Sequence, residues 1–285
     1  MKQFVTIIIA VFGFYSGQAQ QKNNEKEHHT FDNSYTVDEK IKTALETNSF
    51  YGMPSPKDHR ATEFYTPVPA KVDPYGQNGV PSDAIVLFDG TNMDEWINQK
   101  EQIPCTWKLD KEEKTMTIAK GGKKINATIV TKRKFGAIQL HVEWKSPPAI
   151  KSRTGQARGN SGVATDIRYE VQILDNNDNE TYVNGMVGSI YKQSAPLVNP
   201  SVPTGAWNSY DIIYHPPVFK GTKRMKAATM TVLHNGVLIQ DHFSIQGAVA
   251  YIGWPRQEVH GKEAIRLQDH GSAVSYRNIW VRELE

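Results

Sequence analysis

Residues 135–145 read FGAIQLHVEWK. In a β-strand successive side chains point to opposite faces. Ile138, Leu140, Val142 and Trp144 therefore share one face, and Gln139, His141, Glu143 and Lys145 share the other. One face wants a core and the other tolerates water, the pattern of an antiparallel strand solvated on one side. The same alternation recurs outward from this stretch. RYEVQILD (168–175) sets Tyr169, Val171 and Ile173 against Arg168, Glu170 and Gln172. WNSYDIIYH (207–215), EAIRLQDHG (263–271) and SAVSYRNIWVREL (272–284) read as further strands, and Ala84 to Phe88 reads as a buried strand stopped by Asp89-Gly90. Residues 227–243 predict a hairpin around His234-Asn235-Gly236, because Asn-Gly is the favoured pair of a type I′ turn. Six or more strands with turn signals between them, and no helical period among them, predict an all-β fold, an antiparallel β-sandwich.

The 285 residues suffice for one large domain or two small ones. A net charge of +3 with 22% charged residues lacks the concentrated basic stripe of a nucleic-acid binder, so no nucleic-acid partner is expected. The chain starts MKQFVTIIIAVFGFYSGQAQ. Lys2, the apolar run from Phe4 to Phe14 and the small-x-small Gly17-Gln18-Ala19 predict a secretory signal peptide over 1–19. The run is too short to span a bilayer, and no later segment reads as a membrane span. A secreted or periplasmic protein is expected. Its one cysteine, Cys105, permits no internal disulfide and reads as a small buried hydrophobe. Residues 20–82 form an N-terminal extension, with one short helix expected over 36–48 and a Pro/Gly-rich extended arm over 52–82 lying on the main domain. The sandwich domain is expected over 83–285.

Three polar strand faces stand out: Gln139/His141/Glu143/Lys145, Arg168/Glu170/Gln172 and Arg266/Gln268/His270. Each alone is most simply the wet side of a sheet. As neighbours in one curved sheet they would line a groove whose donors and acceptors suit sugar hydroxyls, with Tyr191, Trp207 and Trp254 available to stack on a ring. Glu170 and Asp175 offer a pair of carboxylates for glycoside hydrolysis. The pattern E-V-Q-I-L-D is similar to the E-x-D-x-x-E strand of laminarinase-type enzymes, except that Gln172 stands where an acid is needed. His270 can move a proton near neutral pH. The oxygen-rich run Asp175 to Glu180 can hold a cation but lacks the glycine and final glutamate of an EF-hand loop; Asp175 and Asp178 are its metal candidates. No zinc spacing, nucleophile elbow, phosphate loop or dinucleotide fingerprint appears.

Nine segments in order are LFDGTNMDEW (87–96), TKRKFGAIQLHVEW (131–144), GNSGV (159–163), RYEVQILDN (168–176), GSIYK (188–192), WNSYDI (207–212), LHNG (233–236), IRLQDHG (265–271) and SYRNIWVREL (275–284). Together they resemble the 3-keto-disaccharide hydrolase family, over roughly 70% of the chain. The resemblance implies a concanavalin A-like jelly-roll sandwich, export in Bacteroidota or Planctomycetota, and an oligosaccharide or glycoside substrate. It also implies a chemistry. A ketone at C3 acidifies the C2 hydrogen; a base removes it, the C1 substituent leaves, and water adds to the enone. Such a route needs a base, an enolate stabiliser and an acid, and it does not need Gln172 to be a carboxylate. Glu170 is the expected base, with His270 as alternative base or acid. Arg168 and Lys192 are expected to contact the enolate or hydroxyls, and Gln172, His141, Glu143, Gln268, Asp269 and Trp207 to line the groove. Asp269 and Asp175 are candidates to orient the imidazole or bind a divalent ion, which would act as the enolate's Lewis acid, although the sequence itself does not show a metal site. The rival readings are a non-catalytic carbohydrate-binding module and a retaining endoglucanase using Glu170 and Asp175.

Overall fold

The computed structural model describes residues 68–119 and 127–284, together with 43, 44, 47, 55, 57–63 and 65. The expected signal peptide lies outside the described residues. So does the helix expected over 36–48, apart from Thr43, Ala44 and Thr47, which are helical. The chain divides into two compact units, Met1–Ala70 and Lys71–Glu285. In the first, a 3-10 turn over His59–Thr62 is capped by Asp58, whose side chain accepts a hydrogen bond from the Arg60 backbone N–H.

Among its described residues the second unit has fifteen strands. They are β1 Ile85–Phe88, β2 Trp96–Asn98, β3 Lys108–Asp110, β4 Thr115–Thr117, β5 Ile129–Phe135, β6 Ile138–Lys145, β7 Ser161–Ala164, β8 Glu170–Ile173, β9 Asn208–His215, β10 Val218–Lys220, β11 Lys223–Lys226, β12 Thr229–His234, β13 Val237–Ser244, β14 Glu263–Leu267 and β15 Ser275–Glu283. Eight of them form one sheet in the order β13-β12-β9-β6-β15-β4-β3, with β1 also on β15. Five form the other, β2-β5-β14-β7-β8, and β10 pairs with β11 as a separate ribbon. Every strand pair is antiparallel. This is the β-sandwich that the alternation predicts.

The stretch 135–145 folds as its pattern requires. Ile138, Leu140, Val142 and Trp144 of β6 are buried in one apolar cluster with Val171 and Ile173 of β8 and Ile265 and Leu267 of β14. That cluster joins the inner faces of both sheets. Truncating one member, such as Leu140→Ala, costs about 2–5 kcal/mol. The β12–β13 hairpin turns at Asn235 (φ 52°) and Gly236 (φ 77°), both left-handed as a type I′ turn demands. Cys105 packs half-buried against the core near the Met93 sulfur, and burial pushes its thiol up to about 11. Residues 71–82 of the expected arm belong to the second unit, where Gln77, Asn78 and Val80 help line a groove of ≈350 Å³ beside Arg277 and Asn278.

One expectation changes at β8. The polar face of RYEVQIL is not a wet side: Glu170 and Gln172 are 3% and 2% exposed. The segments carrying Tyr182, Tyr191, Val249 and Tyr251 rise around them and line the same groove.

Candidate active site

The site is built on the outer face of the five-stranded sheet. Its centre is β7, flanked by β14 and β8. Arg266 of β14 is in register with Ala164 of β7, and Ala164 with Glu170 of β8. One step along, the Gln268 N–H bonds the Gly162 carbonyl, and Gly162 is in register with Gln172. Directly paired residues point to the same side, so the middle strand presents only Ala164 and Gly162 outward. Small residues between two polar rows make a trough. A Cβ placed at Gly162 would lie 2.5 Å from Glu170 Cδ and 2.6 Å from its Oε2. The gap lets the Arg266 guanidinium reach across: its Nη2 donates to Glu170 Oε2 at 2.8 Å.

Around this trough lies a groove of ≈510 Å³, within the range of small-molecule sites. Glu170, Gln172, Arg266 and Gln268 lie on the strands beneath it, Gln156 and Asn160 add amides, and exposed His270 also lines it. The amides are mutually oriented. Gln172 Nε2 donates to Asn160 Oδ1 at 3.1 Å, Asn160 Nδ2 to the Gln156 carbonyl at 2.7 Å, and Gln156 Nε2 to the Gly185 carbonyl at 2.7 Å. Tyr182, Tyr191, Val249 and Tyr251 form the wall. The two hydroxyls of Tyr182 and Tyr191 meet at 2.7 Å. The Lys192 ammonium sits among three rings, 4.6 Å from the centre of Tyr251, 5.6 Å from Tyr182 and 5.7 Å from Tyr191.

Glu170 is the single carboxylate among the residues lining the groove. Burial raises its pKa, against the pull of Arg266, which acts by charge and by hydrogen bond, and of the His270 charge. The net direction is upward, toward a stronger base than an ordinary glutamate. One oxygen is committed to Arg266, and Arg266 Nε is buried with no partner among the described residues.

The other sequence candidates lie elsewhere. Arg168 is held by Asp166 at 3.0 Å, Glu258 at 3.2 Å and Glu263 at 3.4 Å, so the cation beside Glu170 is Arg266 instead. Arg168 precedes β8, where strict alternation no longer holds. The row on β6 belongs to the eight-stranded sheet, not to the trough. His141 bonds Asp211 at 2.7 Å and stacks on Trp280, and Glu143 accepts from Arg277 at 2.6 Å and Asn278 at 2.8 Å. Trp207 is covered by Arg277 at 4.2 Å and Lys145 at 4.8 Å. The three polar rows are thus not neighbours in one sheet; alternation assigns faces, not sheets. Asp269 lies just past the end of β14. It is buried, with its carboxylate accepting from the Ala127 and Gly271 N–H groups. Asp175 is closed by Arg158 Nε at 2.9 Å, the Thr204 hydroxyl and the Asn177 N–H, and these bonds hold its pKa down against burial. Asp178 is exposed in the following loop. Among the described residues no three His, Cys, Asp or Glu side chains come together as a metal site. Trp254 is 89% exposed and does not line the groove.

Six residues singled out in the sequence do meet in the groove: Glu170, Gln172, Tyr191, Arg266, Gln268 and His270. Lys192 stands behind the tyrosine wall. The sequence reading missed Gln156, Asn160, Tyr182, Val249 and Tyr251, which reach the groove from loops and carry no periodic signal. Arg266 was legible, since it shares the outward face with Gln268.

Residues 83–282 match the family described as the 3-keto-alpha-glucoside-1,2-lyase-like domain. The chain belongs to that family. A solved structure of a candidate glycosyl hydrolase from Parabacteroides distasonis ATCC 8503 is 42% identical, covers 81% of this chain and 100% of its own, and superposes with a TM-score of 0.73. A second candidate glycosyl hydrolase from the same organism is 18% identical, covers 71% of this chain and 94% of its own at a TM-score of 0.50, and shows a likeness of fold alone. No curated protein matches the chain.

Proposed function

We propose that this protein is a carbohydrate-active enzyme that cleaves 3-keto-glycosides by proton abstraction, elimination and hydration. Family membership and the 42%-identical neighbour support the coarser part, an enzyme of glycosidase type. The finer part rests on one observation: among the described residues one carboxylate, Glu170, lines the groove, not two. Hydrolysis by displacement at C1 uses a pair of carboxyl groups about 5–10 Å apart across the scissile bond. Asp175, the expected second member, is bound by Arg158 and Thr204 away from the groove. A buried carboxylate of raised pKa suits a different task, taking a proton from carbon.

In this route Glu170 accepts the C2 proton and the C2–H electrons move into the C3 carbonyl as an enolate. Arg266 supplies positive charge where that negative charge develops. The enolate then re-forms the ketone and expels the C1 oxygen, which leaves as an alcohol on taking a proton from His270. Water adds across the C1–C2 double bond, hydroxyl to C1 and hydrogen to C2, completing a net hydrolysis. The amides of Gln156, Asn160, Gln172 and Gln268 supply donors and acceptors for hydroxyls.

The test is incubation of purified protein with a 3-keto-glucoside and its unoxidised parent, with and without chelator. Cleavage of the oxidised sugar alone is the expected result. Equal turnover of both sugars indicates a conventional glycosidase, and sugar binding without turnover of either indicates a binding module.

A further inference from the structure

Beside the groove the chain makes a loop whose base is fixed and whose tip is apolar. Its neck closes where the Ala248 N–H bonds the Arg256 carbonyl at 2.8 Å. The approach is so close that a Cβ at Gly247 would lie 2.4 Å from the Arg256 oxygen. Gln193 grips the same neck twice, donating to the Gly247 carbonyl and accepting from the Gln246 N–H. The Val249 N–H bonds the Arg168 carbonyl at 2.9 Å. Arg168 then reaches Glu258 on the loop's far side. Next along, His260 is clamped between Asp166, 3.0 Å from its Nδ1, and the Tyr169 hydroxyl, 2.7 Å from its Nε2. Arg168, expected to touch substrate, is therefore a strut for this loop.

The tip behaves differently. Tyr251, Ile252 and Trp254 are 73%, 83% and 89% exposed, and Gly253 between them turns at φ 91°. Three large apolar side chains in four residues are held out in solvent on an anchored loop, and exposed apolar groups gathered beside a groove are candidates for a binding surface. What it binds follows from continuity: Tyr251 belongs both to the tip and to the lining of the groove. Lys192 steadies that end, donating to the Tyr251 carbonyl at 2.5 Å with its ammonium against the ring. A sugar ring seated over Glu170 is thus followed directly by an aromatic, solvent-facing surface.

We propose that this loop, residues 247–260, is the binding surface for the leaving group of the substrate, with Tyr251 and Trp254 as its platform, and that it selects leaving groups that carry a six-membered ring with an apolar face. The proposal rests on the function proposed above. An alcohol as small as methanol has nothing to lay on the platform. A second pyranose, through its C–H face, or an arene does.

The experiment compares wild-type protein with Trp254→Ala on the 3-keto forms of methyl α-glucoside, phenyl α-glucoside and maltose. Each variant-to-wild-type ratio of kcat/KM is taken within one substrate, which cancels leaving-group acidity. The expected result is a loss of about 10-fold for the ringed leaving groups, the size of one aromatic contact, and less than about 2-fold for methyl. A loss confined to phenyl assigns the platform to arenes, and one confined to maltose assigns it to sugars. Equal losses on all three substrates, or none, overturn the proposal. If wild-type protein cleaves none of the three, the proposed function fails, and tryptophan fluorescence then decides the platform. A change on titration with phenyl α-glucoside or maltose that disappears in Trp254→Ala supports it, and no change overturns it.

Discussion

Glu170→Gln separates chemistry from structure at the centre of the trough. The amide keeps the shape of the side chain and loses its ability to take a proton. If Glu170 removes the C2 hydrogen, kcat falls by about 10²–10⁴-fold. The effect on folding is smaller. The bond from Arg266 Nη2 at 2.8 Å is charge-assisted, and the glutamine carbonyl still accepts it, so the loss is the difference between a charged and a neutral hydrogen bond, about 1 kcal/mol. The variant also escapes the burial that raises the Glu170 pKa. Its melting temperature therefore drops by no more than about 4 °C. Glu170→Ala, which strands the guanidinium, costs about 3–5 kcal/mol. The direct assay is proton exchange at C2 of a 3-keto-glucoside in deuterium oxide, followed by NMR: wild-type protein exchanges and Glu170→Gln does not. The pH profile adds a check. A folded pKa above the ordinary 4.5 means the native state holds more protons than the unfolded chain between those two values. This group's contribution to stability therefore falls as pH rises through that window, while activity rises as the carboxylate ionises. Glu170→Gln removes that stability slope. Near-normal exchange in Glu170→Gln, with exchange abolished in His270→Asn, would refute the reasoning and make His270 the base. Exchange retained in both would remove the groove from the chemistry altogether.

Gly162→Ala forces a methyl to within 2.5 Å of the Glu170 carboxyl carbon. Activity should fall about 10-fold or more and stability by about 1–3 kcal/mol, read from kcat and from the urea midpoint; a silent substitution would show that the trough is not needed. On the opposite sheet, burial works against a charged His141, but Asp211 and Glu143 outweigh it and raise its pKa to about 9 from 6.5. Its charged ring stabilises the fold below pH 6.5, and that contribution of about 1.5–3 kcal/mol disappears as pH rises through about 9. Urea titrations of wild-type and His141→Gln protein from pH 6 to 10 should converge at the alkaline end, with no difference in the pH profile of activity. N-terminal sequencing of protein recovered from the periplasm or medium should begin at or near Gln20; a chain still carrying Met1 in the membrane fraction would contradict export.

The fold was legible because alternation is a local property. FGAIQLHVEWK could bury its apolar face in only one way, and the Asn235-Gly236 turn could close in only one hand. The partnership of strands was not legible, because a period of two says nothing about which strand lies beside which. His141 and Glu143 looked like part of the same polar surface as Glu170 and Gln172, yet β6 and β8 lie in different sheets. Arg168 was misplaced for a related reason: it stands just before β8, where the backbone no longer alternates, and its charge goes to Asp166, Glu258 and Glu263. Asp269 lies just past the end of β14, and its carboxylate turns inward to the Ala127 and Gly271 N–H groups. The loop residues Gln156, Asn160 and Tyr251 had no period at all.

What gives the site its character is the pairing of burial with polarity on a sheet face that could have been apolar. Glu170 and Gln172 are as buried as core residues, and polar groups in that position are costly unless hydrogen-bonded. Gln172 meets that condition through Asn160. Glu170 and Arg266 meet it only in part, with one hydrogen bond between them and no partner for the Arg266 Nε among the described residues. A purely structural ion pair would be stabler with both groups fully satisfied, or replaced by apolar side chains of similar volume. The small residues between the rows point the same way. Gly162 and Ala164 leave space where a larger side chain on β7 would pack the trough shut. A carboxylate–guanidinium pair at the bottom of a trough kept open by glycine and alanine, under a groove lined by amides and tyrosines, is the arrangement on which the proposed sugar chemistry rests.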